Sequence, residues 1–478
     1  MSAPSRSPLR LMSGAVLARL PFADAATDDL PLSRLLRLGL FQVSVALAVT
    51  LMAGTLNRIM IVELRVSASL VAAMFAIPLL LAPARALIGY RSDTHRSAFG
   101  WRRVPYLWNG TLLQFGGLAI MPFALILLNG DKDGSMLPGR IGAALAFLMT
   151  GAGAHTVQTA GLALATDLAN EKTRPRVVAL MYLMLLLGTV LSAIFLGLAL
   201  RQYSHTQLVA VVQGCAMLTA CLNISALWGQ EPRNRERAQN PPPRIPFREA
   251  WSKFTANRNA VRLLAAVALG TIGFSMQDIL LEPYGAQVLG LAVGQTSLLT
   301  ALMGAGAIGA LALAARRLAR GYDANRLAAW GTVVGAFAFA AVTLAAPFGS
   351  TPLFCAGVVG IGFGAGLFSV GTLSVAMTLG AGDGAGLVLG AWGAVQATAA
   401  GTAVAFGGIL RDVIAGLAER GALGPALTGP AIGYTVIYHL EIVALFLAVI
   451  TLAPLVLPAS RYEPRESSEP FGLAELPG

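Results

Sequence analysis

Ionisable and amide side chains that fall inside long apolar stretches are the residues of this chain best placed to do chemistry. Each is costly in hydrocarbon unless it has a partner or a task. Three groups stand out: Asn57 with Arg58, His155 with Gln158, and Gln277 with Asp278 and Glu282. His439 lies in a fourth stretch beside Tyr438 and Glu441, whereas His95 and His205 fall in loops. A buried neutral imidazole suits axial ligation of a metal held in a macrocycle, a proton site, or plain packing. His155 and His439 are candidates for the first role.

A short echo links two of these groups. Gly54-Thr-Leu-Asn57-Arg58 aligns with Gly273-Phe-Ser-Met-Gln277-Asp278 when one residue of slip is allowed. Each charge sits about 20 residues, hence about 30 Å, from the start of its stretch. Arg58 and Asp278 are therefore expected to face one another from two halves of the molecule, with Glu282 as second acceptor. The competing reading is that each snorkels separately to the membrane interface.

Several chemistries are excluded by what these groups lack. The acidic clusters, Asp24/Asp28/Asp29 and Asp131/Asp133, lie in polar segments and are not Asp-rich helices that chelate magnesium on a diphosphate. No Gly-x-x-x-x-Gly-Lys-Ser/Thr cradle for a nucleotide occurs, nor any nucleophile–base set. Cys215, Cys221 and Cys355 lie in apolar runs without metal-ligand spacing, so neither a metal site nor a disulfide is expected. The chain is not expected to be an enzyme.

The elements that must carry these residues are membrane spans. Of 478 residues, 56% are hydrophobic and only 12% are charged, and the mean hydropathy is +0.69. Soluble domains of this size could not hide so much apolar surface. Runs long enough to cross about 30 Å of hydrocarbon are read at 38–62, 68–90, 104–128, 140–168, 176–199, 207–229, 260–281, 294–315, 327–347, 352–379, 385–410 and 431–457. The predicted organisation is a tail (1–37), a six-helix bundle (38–229), a polar basic linker (230–259) containing Pro241-Pro242-Pro243, a second six-helix bundle (260–457) and a tail (458–478). The first 30 residues show no apolar core of a cleavable signal peptide. Lys and Arg concentrate on the side of the tails and linker, which predicts both termini in the cytoplasm. The net charge of +11 is read as basic loops facing anionic membrane lipids, not as a nucleic-acid surface.

Between the second and third spans, Gly89-Tyr-Arg-Ser-Asp93 is followed by Gly100-Trp-Arg102-Arg103. This resembles the loop signature of the major facilitator superfamily. The resemblance implies that Asp93 is a latch acid, Gly89 and Gly100 allow close approach, and Arg102 and Arg103 are its basic partners. Thr94–Phe99 are inserted relative to that pattern. The superfamily's spans one, four, seven and ten line a central cavity, and the first three of these carry the polar groups named above. The fold expected is therefore an all-α polytopic membrane protein of the major facilitator type, twelve helices in two six-helix bundles.

Longer stretches narrow the resemblance. Gly273–Gly285 (GFSMQDILLEPYG), Pro83–Asp93 (PARALIGYRSD), Phe99–Tyr106 (FGWRRVPY) and Ala165-Thr-Asp-Leu through Arg174–Tyr182 (RPRVVALMY) resemble the PucC/LhaA family, the bacteriochlorophyll-delivery branch of the superfamily in photosynthetic bacteria. The opening Leu20–Thr27 (LPFADAAT) leans toward the LhaA side, which serves the core antenna LH1, over PucC, which serves the peripheral antenna LH2.

The resemblance implies assembly of light-harvesting complexes in the bacterial inner, intracytoplasmic photosynthetic membrane. The partners implied are antenna α/β polypeptides and bacteriochlorophyll as cargo, with the reaction centre, pigment-synthesis enzymes or insertion machinery as further ones. A Gly-rich, aromatic-edged and nearly uncharged cavity would suit such a pigment. Trp108, Phe115, Phe274 and Trp392 are then candidate ring contacts, with His155, Gln158 and His439 as candidate polar or axial contacts. The alternative is a secondary transporter coupled to protons through Asp278 or Glu282.

Overall fold

With no water in the bilayer core, a spanning backbone must bond within itself, so apolar runs become helices. The computed structural model describes residues 26–27, 30–81, 101–128, 137–170, 173–231, 257–379, 385–425, 427–429 and 431–456, and among them all regular structure is helical. The helices are α1 (Leu32–Thr50), α2 (Ala68–Leu80), α3 (Val104–Leu128), α4 (Leu137–Leu168), α5 (Arg174–Ala199), α6 (His205–Leu227), α7 (Arg258–Ser275), α8 (Leu281–Leu289), α9 (Val293–Ala319), α10 (Ala324–Ala345), α11 (Thr351–Leu379), α12 (Ala385–Glu419) and α13 (Ala431–Leu452). The tails, most of the linker, and Gly89, Asp93 and Gly100 of the latch motif lie outside the described residues.

Nine of the described helical stretches are long and apolar enough to cross a membrane. The other three expected spans are present as helices of different character. α2 is described for 13 residues, and α4 runs for 32 residues but is diluted by glycine, threonine, His155 and Gln158. The seventh span is not the single rod expected over 260–281. It stops at Ser275, turns through 276–280, and resumes as α8 until Gly290 ends it in a left-handed cap at φ 69°.

The first span also departs from the expected limits. α1 begins at Leu32, six residues early, because Leu32, Leu35 and Leu38 are buried against Leu164 and Leu180 of α4 and α5. Beyond Thr50 it continues through two π-helical segments, Leu51–Leu56 and Ile59–Glu63, on either side of Asn57 and Arg58. The π-turns mark a local widening of the helix at the residues singled out for chemistry. Arg65, at φ 51°, reverses the chain into α2.

The two bundles meet along two seams, α2 against α12 and α5 against α9. Glycine sets how closely the helices approach there, as packing without a hydrophobic driving force requires. A Cβ on Gly408 of α12 would stand 2.8 Å from the Ala68 carbonyl oxygen of α2, and one on Gly197 of α5 would stand 2.9 Å from the Gly294 carbonyl oxygen of α9. Asp412 adds a polar tie at the first seam, where its Oδ2 accepts the Ser69 backbone N–H at 2.7 Å in the first turn of α2.

A candidate pigment cavity beside a broken helix

The break after Ser275 frees backbone N–H groups in a region where water cannot satisfy them. Glu441 of α13, fully buried, supplies the acceptor: the Gln277 backbone N–H donates to its Oε1 at 2.7 Å. Broken helices are tolerated at membrane depth when protein groups close the gap in this way. The Gln277 side-chain amide turns back to donate to Asp278 Oδ1 at 2.8 Å and to the Phe274 carbonyl at 3.2 Å. Glu441 was visible in the sequence only as a neighbour of His439. Its role depends on a break that apolar periodicity does not signal.

The break also decides the charge pairing. The ion pair of Arg58 is with Glu63 of its own span, at 2.5 Å, and not with Asp278. Because the chain turns at 276–280, the carboxylate that faces the first span is Glu282, in the first turn of α8. Thr300 of α9 donates to Glu282 Oε1 at 2.9 Å, and Gly54 of the first span lies against that carboxylate. The hydroxyls of Thr55 and Ser297 bond across the same contact at 3.1 Å. Just outside the span, the phenol of Tyr203 is pushed above its ordinary range, first by burial and then by the Glu63 carboxylate, with Arg58 opposing.

Asp278 instead reaches the wall of a cavity of about 450 Å³. Its lining comes from α5, α7 and the turn after it, α9, α11 and α12, and includes Tyr182, Phe274, Phe368, Trp392, Gln277, Asp278 and Gln396. The rest of the wall is aliphatic or small apart from Thr189, Thr271, Ser275 and Ser369. The aromatic edge is held in place. Phe274 packs on Phe368 with ring centroids 5.9 Å apart, and the Trp392 indole N–H donates to Thr372 Oγ1 at 3.2 Å.

Two of the four expected ring contacts, Phe274 and Trp392, are thus brought to this cavity. Trp108 is 46% exposed, and Phe115 packs half-buried against the core; neither is in the cavity wall. His155 and Gln158 lie on a half-exposed stripe of α4 and have interaction partners, but they too are absent from that wall. His439 is exposed on α13, its Nδ1 2.7 Å from the Thr435 carbonyl oxygen. Neither candidate histidine lines this cavity. α4 packs chiefly against α3, whereas the cavity opens beside the α5–α9 seam.

On the side of the linker, Arg102 and Arg103 have a described acid partner other than Asp93. Asp167, at the end of α4, accepts Arg103 Nε at 3.0 Å and Arg102 at 3.4 Å. The Glu231 carboxylate caps the start of α3, accepting the backbone N–H groups of Arg102 (2.8 Å), Arg103 and Val104 (2.9 Å). A negative group at a helix N-terminus is favoured both by the free donors and by the helix dipole. Arg34 completes the cluster through Gln230, donating to its Oε1 at 3.0 Å and its carbonyl at 2.8 Å. Asp167 stood in one of the quoted family stretches, yet nothing in its spacing announced the pairing.

The fold is of the major facilitator type. The POT family transporter PepTSo superposes with a TM-score of 0.65 at 11% identity, covering 88% of this chain and 98% of that one. Sequence comparison is sharper: the model of the PUCC protein family matches residues 55–460. The chain belongs to the PUCC family. The relatives of this PUCC-family member include a protein in the puhA-bchM intergenic region of Rhodobacter capsulatus, 53% identical over 98% of this chain and 99% of its own. Another is Protein PucC of Rhodovulum sulfidophilum, 55% identical over 83% of this chain and 88% of its own.

Proposed function

We propose that this PUCC-family protein is a non-enzymatic assembly factor for light-harvesting complexes, handling bacteriochlorophyll and antenna α/β polypeptides in the photosynthetic inner membrane with both termini cytoplasmic. The core antenna LH1 is favoured over LH2 by the opening Leu20–Thr27 stretch. The observation that carries the reading is the cavity of about 450 Å³, whose wall is aliphatic and aromatic with few polar groups. Such a wall favours a large apolar ring over a hydrated metabolite, whose lost hydrogen bonds it could not replace. Phe274, Phe368 and Trp392 supply flat apolar contacts, while Asp278 and Gln277 offer a few directed bonds to polar substituents.

The test is to purify the protein from photosynthetic membranes and record which pigment and which small polypeptides accompany it. Bound bacteriochlorophyll that falls in Trp392→Ala, together with failed LH1 assembly on deletion, is the expected result. A colourless protein whose deletion leaves both antennae intact sinks the reading.

The second reading, proton-coupled transport of a small solute, is favoured by one observation: Asp278 stands at a helix break in a cavity wall of a transporter fold. Solute uptake in proteoliposomes driven by a pH gradient and abolished in Asp278→Asn would support it.

A further inference from the structure

His439 sits about 12 Å along α13 at 1.5 Å per residue, well inside the apolar part of that helix, and its side chain is exposed on the outside of the bundle. Its Nδ1 is 2.7 Å from the Thr435 carbonyl oxygen. A carbonyl oxygen only accepts, so Nδ1 carries the proton and Nε2 of the neutral ring keeps its lone pair. Among the described residues nothing bonds to Nε2, and lipid tails offer it no donor. A metal-binding histidine is oriented in the same way, its second nitrogen donating to a backbone carbonyl to hold the ring and raise its basicity. Toward the far end of the helix, Val443, Phe446, Leu447 and Ile450 are all exposed and form an apolar shelf beside the imidazole.

We propose that Nε2 of His439 is the axial ligand of a magnesium tetrapyrrole bound on the lipid-facing surface of α13, its hydrocarbon tail lying along that shelf. The site is separate from the inner cavity, and the inference rests on the reading that the protein handles such pigments. A macrocycle-held magnesium needs one axial donor, is soluble in the bilayer, and satisfies the one polar atom that α13 presents there. Pigment would be taken up laterally from the membrane without passing through water.

The experiment uses the full-length protein in nanodiscs of phosphatidylethanolamine and phosphatidylglycerol, titrated with bacteriochlorophyll a. Uptake is followed by the red absorption band and the coordination state by resonance Raman. His439→Phe is expected to weaken binding about tenfold or more and to remove the nitrogen-ligated signature. Free imidazole should restore that signature in His439→Gly, which separates lost ligation from lost folding. Retention of the signature in His439→Phe overturns the proposal alone. The proposal also fails alone if His439→Phe keeps pigment but loses co-purifying antenna polypeptide, since Nε2 then serves a partner helix. A wild-type protein that takes up no pigment overturns this site and the assembly reading together.

Discussion

Among the described residues, the buried carboxylates of Glu441 and Glu282 each accept a bond from a named donor. Glu441 closes the gap in the seventh span through the N–H of Gln277. Glu441→Ala should therefore destabilise the fold by about 1–3 kcal/mol, the cost of a buried donor left without an acceptor. Glu441→Gln keeps an acceptor oxygen and should lose clearly less; equal losses in thermal unfolding would refute the capping role. Asp167 is 26% exposed and Arg103 only 5%, so their pair is partly screened. A double-mutant cycle of Asp167→Ala and Arg103→Ala should return a coupling of about 0.5–1 kcal/mol. A value indistinguishable from zero would mean that Asp167 merely lies nearby. Glu282, bonded to Thr300 and lying against Gly54, is the carboxylate at which the seventh span meets the first. The choice of Glu282 over Asp278 follows from the direction in which the chain turns between them.

At the scale of elements, the seams between bundles rely on glycine to bring backbones together. Gly408 and Gly393 lie on the same helix, but a Cβ on the first would press on the Ala68 carbonyl oxygen and the Ala72 side chain, whereas nothing lies within 4 Å of one on the second. Gly408→Val should cost about 1–3 kcal/mol through overpacking, and Gly393→Val much less, since helix propensity changes equally at both sites. Similar unfolding midpoints for the two variants would show that the seam is not tightly packed. The interrupted first and seventh spans fit the same logic. Their π-turns and their break lie where α1, α8 and α9 meet, and irregular backbone is tolerated there because neighbouring helices cover it.

For the whole molecule, nine described helices long and apolar enough to cross a membrane, with two bundle-to-bundle seams, make a multi-pass membrane protein of the major facilitator fold. Its proposed orientation follows from the basic tails and linker. Single cysteines at Arg258 and at Ala422, in a background lacking Cys215, Cys221 and Cys355, should respond oppositely to an impermeant thiol reagent applied to inside-out vesicles. Residue 258 should be labelled and residue 422 protected; the reverse pattern would invert the topology.

The membrane class, nine of the expected spans and the family were legible in the chain itself, because hydrophobic length is a local property and the quoted stretches are contiguous. Gly273–Gly285 carried the family resemblance, and Phe274 with Trp392 were found as aromatics of the cavity. Tertiary structure alone decided that Arg58 pairs with Glu63, that Asp167 and Glu231 hold the arginine loop, and that Glu441 caps the seventh span. These contacts join residues from different helices, or depend on where a helix is interrupted. Linear spacing measures distance along one helix; it does not report the rotation that a break imposes or which neighbour fills the gap.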